Sequence, residues 1–159
     1  MTNKPLERPM EETTGFLMVR AARGMKKALD SELNKFGLTS SQQTILSLLK
    51  KKDGLSLSEI GKSVFLDKAA ITGLADRLEK DGFVERRRTS PDRRVIQLFL
   101  SQKGRSLIRK TDSIVTAVDH RIVEFLPESE LSKLRTILIN IWDASNNREV
   151  FNNQVSIKD

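Results

Sequence analysis

The clearest pattern in the chain is a helical spacing of apolar residues between two end signals. The apolar side chains that share one helical face are Ile71, Leu74, Ala75 and Leu78. Asp67 can cap the first turn by accepting hydrogen bonds from free backbone amides, and Gly82 suits the left-handed position after the last turn. We therefore predict a helix between these two residues, with one face buried and the other open to a partner.

The segments on either side of this helix have equally clear patterns. A shorter helix over Leu57 to Phe65 begins with a capping box, in which Ser56 bonds the amide of Glu59 and Glu59 reaches back. After the longer helix, Phe83 to Arg88 and Val95 to Leu100 are rich in strand-forming residues, with a turn between them. Two short helices followed by a hairpin with a basic tip predict a winged helix-turn-helix.

Further helices are expected on both sides of this unit. A helix over 40–52 would be capped by Thr39 with Gln42 in the reciprocal position, and Leu55 could add a short third strand to the hairpin. Longer helices are predicted over residues 12–36, 101–125 and 128–145. Their apolar positions exceed what one helix-turn-helix core can bury, so we expect the terminal helices to pack against a second copy.

The predicted fold class is mainly α, an α+β winged helix flanked by N- and C-terminal helices. The predicted boundaries are a flexible arm at 1–10, dimerisation helices at 11–37 and 101–145, the winged helix-turn-helix DNA-binding domain at 38–100, and a polar tail at 146–159.

Composition excludes several classes of site. The 159 residues include no cysteine and a single histidine, His120, so thiolate sites and a multi-histidine metal cluster cannot be built from one subunit. No glycine-rich phosphate loop or activated nucleophile is recognisable, so we expect neither an enzyme nor a cofactor. No apolar run approaches the roughly 20 residues that span a bilayer, and a signal-peptide core is lacking. We expect a cytoplasmic protein that does not contact membranes.

The positive charge is concentrated in one segment. The net charge is +7, and residues 83–110 hold nine of the 28 basic residues but two of the 21 acidic ones. The remaining residues hold 19 of each sign, so the excess falls on the hairpin and the start of the next helix. This distribution indicates a surface that binds a polyanion.

The run DKAAITGLADRLEKDGFVERRRTSPDRRVIQLFLSQKGR, which begins at Asp67, resembles the signature of the MarR family of bacterial transcription regulators. The most specific pieces are LTSSQ from Leu38, ADRLEKDGFVER from Ala75, and PDRR from Pro91 followed by LFLSQKG. The likeness covers about residues 14–145. It implies a homodimer, joined through its terminal helices, that binds double-stranded DNA.

The second short helix of a winged helix-turn-helix enters the major groove, where its N-terminal half meets base edges. The residues expected there are Lys68, Ala69, Thr72 and Gly73, with Arg77 beside them to contact phosphate or pair with a carboxylate. The family often carries larger polar residues at the positions of Ala69 and Gly73. Small residues allow close approach but remove hydrogen-bonding groups, so direct readout should be modest. Thr72 can bond a base edge or touch a thymine methyl, and Lys68 can reach a guanine or a phosphate.

The predicted wing supplies the remaining DNA contacts. Asp92, Arg93 and Arg94 match the family's wing motif, which implies that Arg94, or alternatively Arg93, enters the minor groove while Asp92 orients an arginine. Arg86 and Arg88 share one face of the strand before the turn, and we expect them to contact phosphates.

The sequence thus predicts a homodimeric, sequence-specific transcription regulator that binds an inverted-repeat operator. The resemblance implies a repressor released by a small aromatic or anionic effector. Arg20 and Arg23 on the first helix are candidate anion partners for that effector.

Two alternatives stay open. A ligand-independent architectural regulator could rely on the wing and the minor groove, which fits the small residues of the recognition helix. A winged-helix module that binds another protein is the second, although the local basic charge argues against it.

Overall fold

The computed structural model describes residues 9–64, 66–88 and 94–146. The helices are α1 (Thr14–Leu33), α2 (Ser40–Lys51), α3 (Leu57–Val64), α4 (Lys68–Lys80), α5 (Gln102–Val123) and α6 (Glu128–Asn146). The strands are β1 (Leu55–Ser56), β2 (Val84–Arg87) and β3 (Gln97–Leu100). Short 3-10 turns lie at Met10–Glu12 and Asn34–Phe36. The fold is therefore a mostly helical winged helix, as the sequence predicts, with a small three-stranded sheet.

The predicted helix ends are confirmed by their hydrogen bonds. Asp67 accepts a bond of 2.8 Å from the amide of Ala70 at the start of α4. Ser56 and Glu59 form the reciprocal pair at the start of α3, and Thr39 forms the equivalent capping box at α2. Gly82 has a φ of 74° after α4, the left-handed conformation that favours glycine.

The sheet is antiparallel with β3 in the centre, in the order β1-β3-β2. The predicted third strand at Leu55 is present and pairs with Leu98. Both strands of the hairpin are shorter than predicted. Four residues of β2 pair with four residues of β3, from Val84 opposite Leu100 to Arg87 opposite Gln97. The predicted wing tip, with Asp92 and Arg93, lies outside the described residues, as do most of the N-terminal arm and the C-terminal tail.

Three of the four residues in the predicted apolar stripe of α4 are buried, and Leu74 is half-buried against the same core. Ile71, Ala75 and Leu78 are at most 1% exposed and pack with side chains from α2, α3 and the sheet. Gly104 in α5 lies so close to the sheet that a Cβ there would be 2.0 Å from the carbonyl oxygen of Phe83. This contact brings the start of α5 against the strand that leads into the wing.

The first half of α5 also belongs to this core. Ile108 is 1% exposed, and the buried Thr111 donates a hydrogen bond of 2.8 Å to Oε1 of Gln43 in α2. The helix that the sequence assigns to dimerisation therefore packs against the helix-turn-helix through its N-terminal half.

The chain divides into two compact units, residues 1–119 and 120–159. Within the first, α1 exposes the apolar residues Phe16, Leu17, Val19 and Met25. Within the second, α6 exposes Ile137, Leu138, Ile139 and Trp142. The division into dimerisation and DNA-binding regions remains a prediction.

Candidate nucleic-acid interface

Helix α4 presents the predicted base-reading residues on its outer face. Its buried stripe packs into the core, while Lys68 and Ala69 are exposed and Thr72 and Gly73 are half-buried. The Asp67 cap leaves the first turn well defined, so these four side-chain positions are held by a regular helix. The geometry therefore brings together the residues that the sequence places in the major groove.

The outer face of α4 offers few hydrogen-bonding groups. The hydroxyl of Thr72 donates to the carbonyl oxygen of Lys68 at 2.7 Å, which leaves its oxygen lone pairs and its methyl group for an external partner. Ala69 and Gly73 carry no polar side-chain atoms. The ammonium of Lys68 is thus the one side-chain donor among these four residues that is not used within the helix.

The guanidinium of Arg86 pairs with carboxylates of the same chain. The sequence pattern did not predict this pairing. Arg86 lies opposite Leu98 in the sheet, so its side chain shares the face of the sheet that carries the buried Leu98. Its Nη2 donates to Oδ1 of Asp76 at 2.5 Å, and its Nε lies 3.5 Å from Oε2 of Glu79 without the alignment of a hydrogen bond. The side chain is 24% exposed.

The sequence carried a signal for this inward orientation. Val84 is two residues before Arg86, and alternate residues of a strand share a face. Asp76 and Glu79 are three residues apart on α4, which places both carboxylates on neighbouring positions of one helix face. The predicted phosphate contact of Arg86 is untested, and the structure gives the guanidinium two carboxylate partners within the chain.

The neighbouring arginines face other directions. The side chain of Arg87 is paired with Glu85 at 2.6 Å and stacks 4.8 Å from the centre of the Phe99 ring. Arg88 is exposed at the end of β2, and Arg77 is exposed beside the recognition face of α4. These two exposed guanidiniums fit the predicted phosphate contacts. Arg94 is also exposed, in the turn that leads to β3.

Two positive charges of residues 83–110 are paired with carboxylates from outside that segment, and a third binds a backbone carbonyl oxygen. Arg105 pairs with Asp53, and Arg86 pairs with the acidic residues of α4. Lys103 donates to the carbonyl oxygen of Asp81 at 2.7 Å and lies 4.7 Å from the centre of the Phe83 ring. The count of basic residues in 83–110 therefore overstates the positive charge that an external partner would meet, because some of these side chains are paired within the chain.

Two shallow depressions lie along the outer side of α1. The first, of about 390 Å³, is lined by Gly15, Phe16, Val19, Arg20 and Arg23. The second, of about 420 Å³, is lined by Arg23, Lys26, Lys27, Asp30, Ser31 and Asn34. The predicted anion partners Arg20 and Arg23 are both exposed and share the first depression.

Asp30 fastens α1 to the first turn of α2. Its Oδ1 accepts a hydrogen bond of 2.6 Å from the amide of Ser40, and its Oδ2 accepts one of 2.6 Å from Lys26. Burial by itself would raise the pKa of Asp30, but the hydrogen bonds from Lys26 and Ser40 outweigh it and hold the pKa below its ordinary value.

An apolar groove is lined by residues of α3, of α4 and of the turn between them. It has a volume of about 720 Å³ and is lined by Leu57, Ser58, Gly61, Lys62, Leu66, Lys68 and Ile71. Lys68 belongs to both this groove and the recognition face.

Within the described part of the chain, no helix is long and apolar enough to cross a membrane.

The chain is similar to known transcription regulators. A family model described as MarR family matches residues 38–96. The HTH-type transcriptional regulator BilQ of Clostridium symbiosum is 30% identical over 129 residues, which are 81% of this chain and 90% of BilQ. The HTH-type transcriptional repressor MdtR of Bacillus subtilis is 32% identical over 117 residues, 74% of this chain and 76% of MdtR. The regulator TtmR of Methylorubrum extorquens is 40% identical over 99 residues, and the chain spans about half (51%) of its length.

Solved structures share the fold. The S. aureus MepR–DNA complex matches with a TM-score of 0.78 at 24% identity, covering 83% of this chain and 98% of MepR. CouR from Rhodococcus jostii RHA1, solved with p-coumaroyl-CoA, matches with a TM-score of 0.74 at 25% identity, covering 84% of this chain and 94% of CouR.

The resemblance found in the sequence is confirmed by these matches, and the relatives are named as regulators and not as enzymes. Two relatives at 30% identity or more align over most of their own length, and the family model covers the helix-turn-helix itself. The chain therefore belongs to the MarR family of DNA-binding transcription regulators.

Proposed function

We propose that this DNA-binding regulator is a cytoplasmic homodimeric repressor that binds an inverted-repeat operator and is released by a small aromatic or anionic effector. The observation that carries the DNA-binding mode is the outward face of α4, held by a capped helix, with the exposed Arg77 on the same helix. Arg88, directly after β2, adds a second exposed guanidinium. In a dimer, two such helices would enter successive major grooves about 34 Å apart.

Dimerisation is supported by the exposed apolar side chains of α1 and α6. Val19 in α1 is 51% exposed, and Ile137 and Ile139 in α6 are 54% and 60% exposed. Clusters of this kind are covered by a partner in many oligomers. Sedimentation at micromolar concentration should give a dimer, and Ile139→Asp should shift it toward monomer. Ser132→Asp, a matched change at another exposed position of α6, should leave the dimer intact. A monomeric wild-type protein would overturn this part of the proposal.

The wing residue Arg94 is proposed to enter the minor groove. Fluorescence anisotropy with the DNA that flanks the coding region, at two salt concentrations, should reveal tight, salt-sensitive binding by wild type. Arg94→Ala should abolish most of it, because narrow A·T-rich minor grooves attract an inserted arginine. Binding no tighter than to random duplex would count against the operator proposed here.

Effector release is supported by the depression on α1, where Phe16 and Val19 supply apolar contacts and Arg20 and Arg23 supply positive charge. That combination suits an aromatic carboxylate. CouR, a structural neighbour, was solved with p-coumaroyl-CoA. Such a ligand can shift DNA affinity only through a different affinity for the two states of the protein.

A panel of aromatic carboxylates should displace operator DNA, and the double variant Arg20→Ala/Arg23→Ala should need a higher concentration for the same displacement. Lys62→Ala, in the groove between α3 and α4, is the matched control. Loss of the response in the Lys62 variant alone would move the effector to that groove.

One observation favours a second candidate, a ligand-independent architectural regulator. The outer face of α4 offers few hydrogen-bonding groups, so specificity could rest on DNA shape read by the wing. A broad A·T preference together with no response to any carboxylate of the panel would support it.

A further inference from the structure

Gly73 is a glycine that the folded chain does not require. It lies in the interior of α4, and a Cβ built on it would meet no atom of the described residues within 4 Å. Its backbone is not among the positive-φ glycines, which are Gly37, Gly54 and Gly82. Alanine at an interior position raises the equilibrium constant for helix formation about fivefold relative to glycine. Glycine at position 73 therefore lowers the stability of α4, and no close packing contact offsets that loss.

Gly61 and Gly104, the other helical glycines of the DNA-binding unit, have an internal reason, whereas Gly15 and Gly24 in α1 are as open as Gly73. A Cβ on Gly61 would lie 3.2 Å from the carbonyl oxygen of Leu66, and one on Gly104 would lie 2.0 Å from that of Phe83. Those two positions permit close packing between elements of the chain. The open space above Gly73 instead faces outward, on the side of α4 that meets DNA.

The surroundings of Gly73 are poor in free donors and rich in apolar groups. Ala69 is exposed, and the hydroxyl of Thr72 is already donated to the carbonyl oxygen of Lys68. The next outward residue, Asp76, holds the guanidinium of Arg86. The central part of this face is therefore a shallow surface of a glycine backbone and methyl groups.

We propose that the outer face of α4 reads thymine methyl groups in the major groove, with Ala69 and Thr72 in contact and Gly73 at the point of closest approach. The C5 methyl of thymine is the apolar group that natural base pairs present in that groove, and alanine and threonine methyls are its usual partners. A side chain at Gly73 would hold the helix away from it. This inference rests on the proposed operator binding and assigns the chemistry that the recognition helix recognises.

The test removes the methyl groups and nothing else. A duplex enriched by the full-length protein from a randomised library is compared with versions in which thymine is replaced by uracil, one position at a time. Each contacted methyl should be worth about fourfold in affinity, since burying one such group contributes about 0.8 kcal/mol. Uracil keeps the minor-groove acceptors of thymine, so readout by the wing is unaffected. Replacement outside the half-sites should change nothing.

A matched pair of variants tests the assignment to Gly73. Gly73→Ala should weaken binding to the thymine duplex roughly tenfold through overpacking. It should weaken binding to the uracil duplex less, because the added methyl then occupies the space of the missing one. Ser132→Ala is the control, because it changes one small side chain at an exposed position of α6 away from the recognition helix, and it should leave both affinities unchanged. Both variants should melt at or above the wild-type temperature.

The outcomes are distinguishable. If an enriched duplex binds tightly but uracil has no effect in any half-site position, operator binding stands and methyl readout is wrong. If Gly73→Ala binds both duplexes as tightly as wild type, Gly73 is not the point of closest approach, and that assignment fails. If it weakens both duplexes equally, the helix approaches DNA at Gly73 but not at a thymine methyl, and methyl readout at this position fails. If no duplex is enriched over random DNA, the proposed operator and this inference fail together.

Discussion

Replacing Arg86 with alanine should destabilise the fold without changing the number of phosphates that the protein contacts. Its guanidinium joins β2 to α4 through Asp76 and Glu79, on the inner face of the sheet beside Leu98. The sequence alone assigns the same residue to DNA. The two roles predict different results in two separate assays.

The magnitude follows from partial burial. Hydrogen bonds to charged groups contribute about 1.5–3 kcal/mol, whereas exposed ion pairs contribute about 0.2–1 kcal/mol. Arg86 lies between these limits, because its side chain is 24% exposed while Asp76 and Glu79 are 57% and 42% exposed and can return to water. Loss of partly buried methylene groups adds up to about 0.8 kcal/mol for each. We expect a total loss of about 2 kcal/mol.

The first assay is urea unfolding at one fixed protein concentration, since dimerisation would make stability concentration-dependent. A double-mutant cycle with Asp76→Ala should give a coupling energy of about 1 kcal/mol. The second assay is the salt dependence of DNA binding. Its logarithmic slope should be unchanged in Arg86→Ala among molecules that remain folded. Arg88→Ala is the matched control. It should keep wild-type stability, and its slope of log binding constant against log salt concentration should become less negative by about 0.9 for each phosphate contact removed.

The opposite pattern would refute this reasoning. If Arg86→Ala unfolds at the wild-type urea midpoint and its salt slope falls as that of Arg88→Ala does, Arg86 is a phosphate ligand. Its pairing with α4 would then contribute nothing measurable to the fold.

Three further predictions concern stability. Gly104→Ala should lower the unfolding free energy by about 3 kcal/mol, because its Cβ would collide with the carbonyl oxygen of Phe83, and a wild-type melting temperature would contradict this close approach. Thr111→Val should cost about 1–3 kcal/mol in urea unfolding, since it removes the donor to Gln43, whose Nε2 already has no partner in the part of the chain that the structure describes, whereas Thr111→Ser should retain most of the stability. Because the pKa of Asp30 is held below its ordinary value of 3.8, its stabilising effect is present above that pH and is lost as the pH falls through the depressed pKa. The difference in urea midpoint between wild type and Asp30→Asn should therefore be full at pH 7 and shrink at pH 3, and an equal difference at both would exclude the charged form as its cause.

The sequence by itself determined where α2, α3 and α4 begin and where α4 ends. Capping at Thr39, Ser56 and Asp67 and the left-handed Gly82 are interactions between residues at most four positions apart, so the local pattern contains both partners. The buried stripe of α4 is likewise a matter of helical period. Because a stripe that faces the core leaves the opposite face outward, the sequence also predicted which face of α4 is exposed, and the contact of that face with DNA stays a prediction.

Only the tertiary structure decided which charges are free. The pairs Arg86 with Asp76 and Arg105 with Asp53 join residues 10 and 52 positions apart, and no local pattern fixes such distances. Alternation shows that Arg86 shares a face with Val84, but only the packed sheet shows that α4 supplies carboxylates to that face. The same holds for Gly73: the sequence shows a small residue, and the structure shows that no neighbour among the described residues needs it to be one. Local signals therefore determined the elements, because each depends on neighbours in sequence. Packing between distant elements determined which of their side chains remain available to DNA.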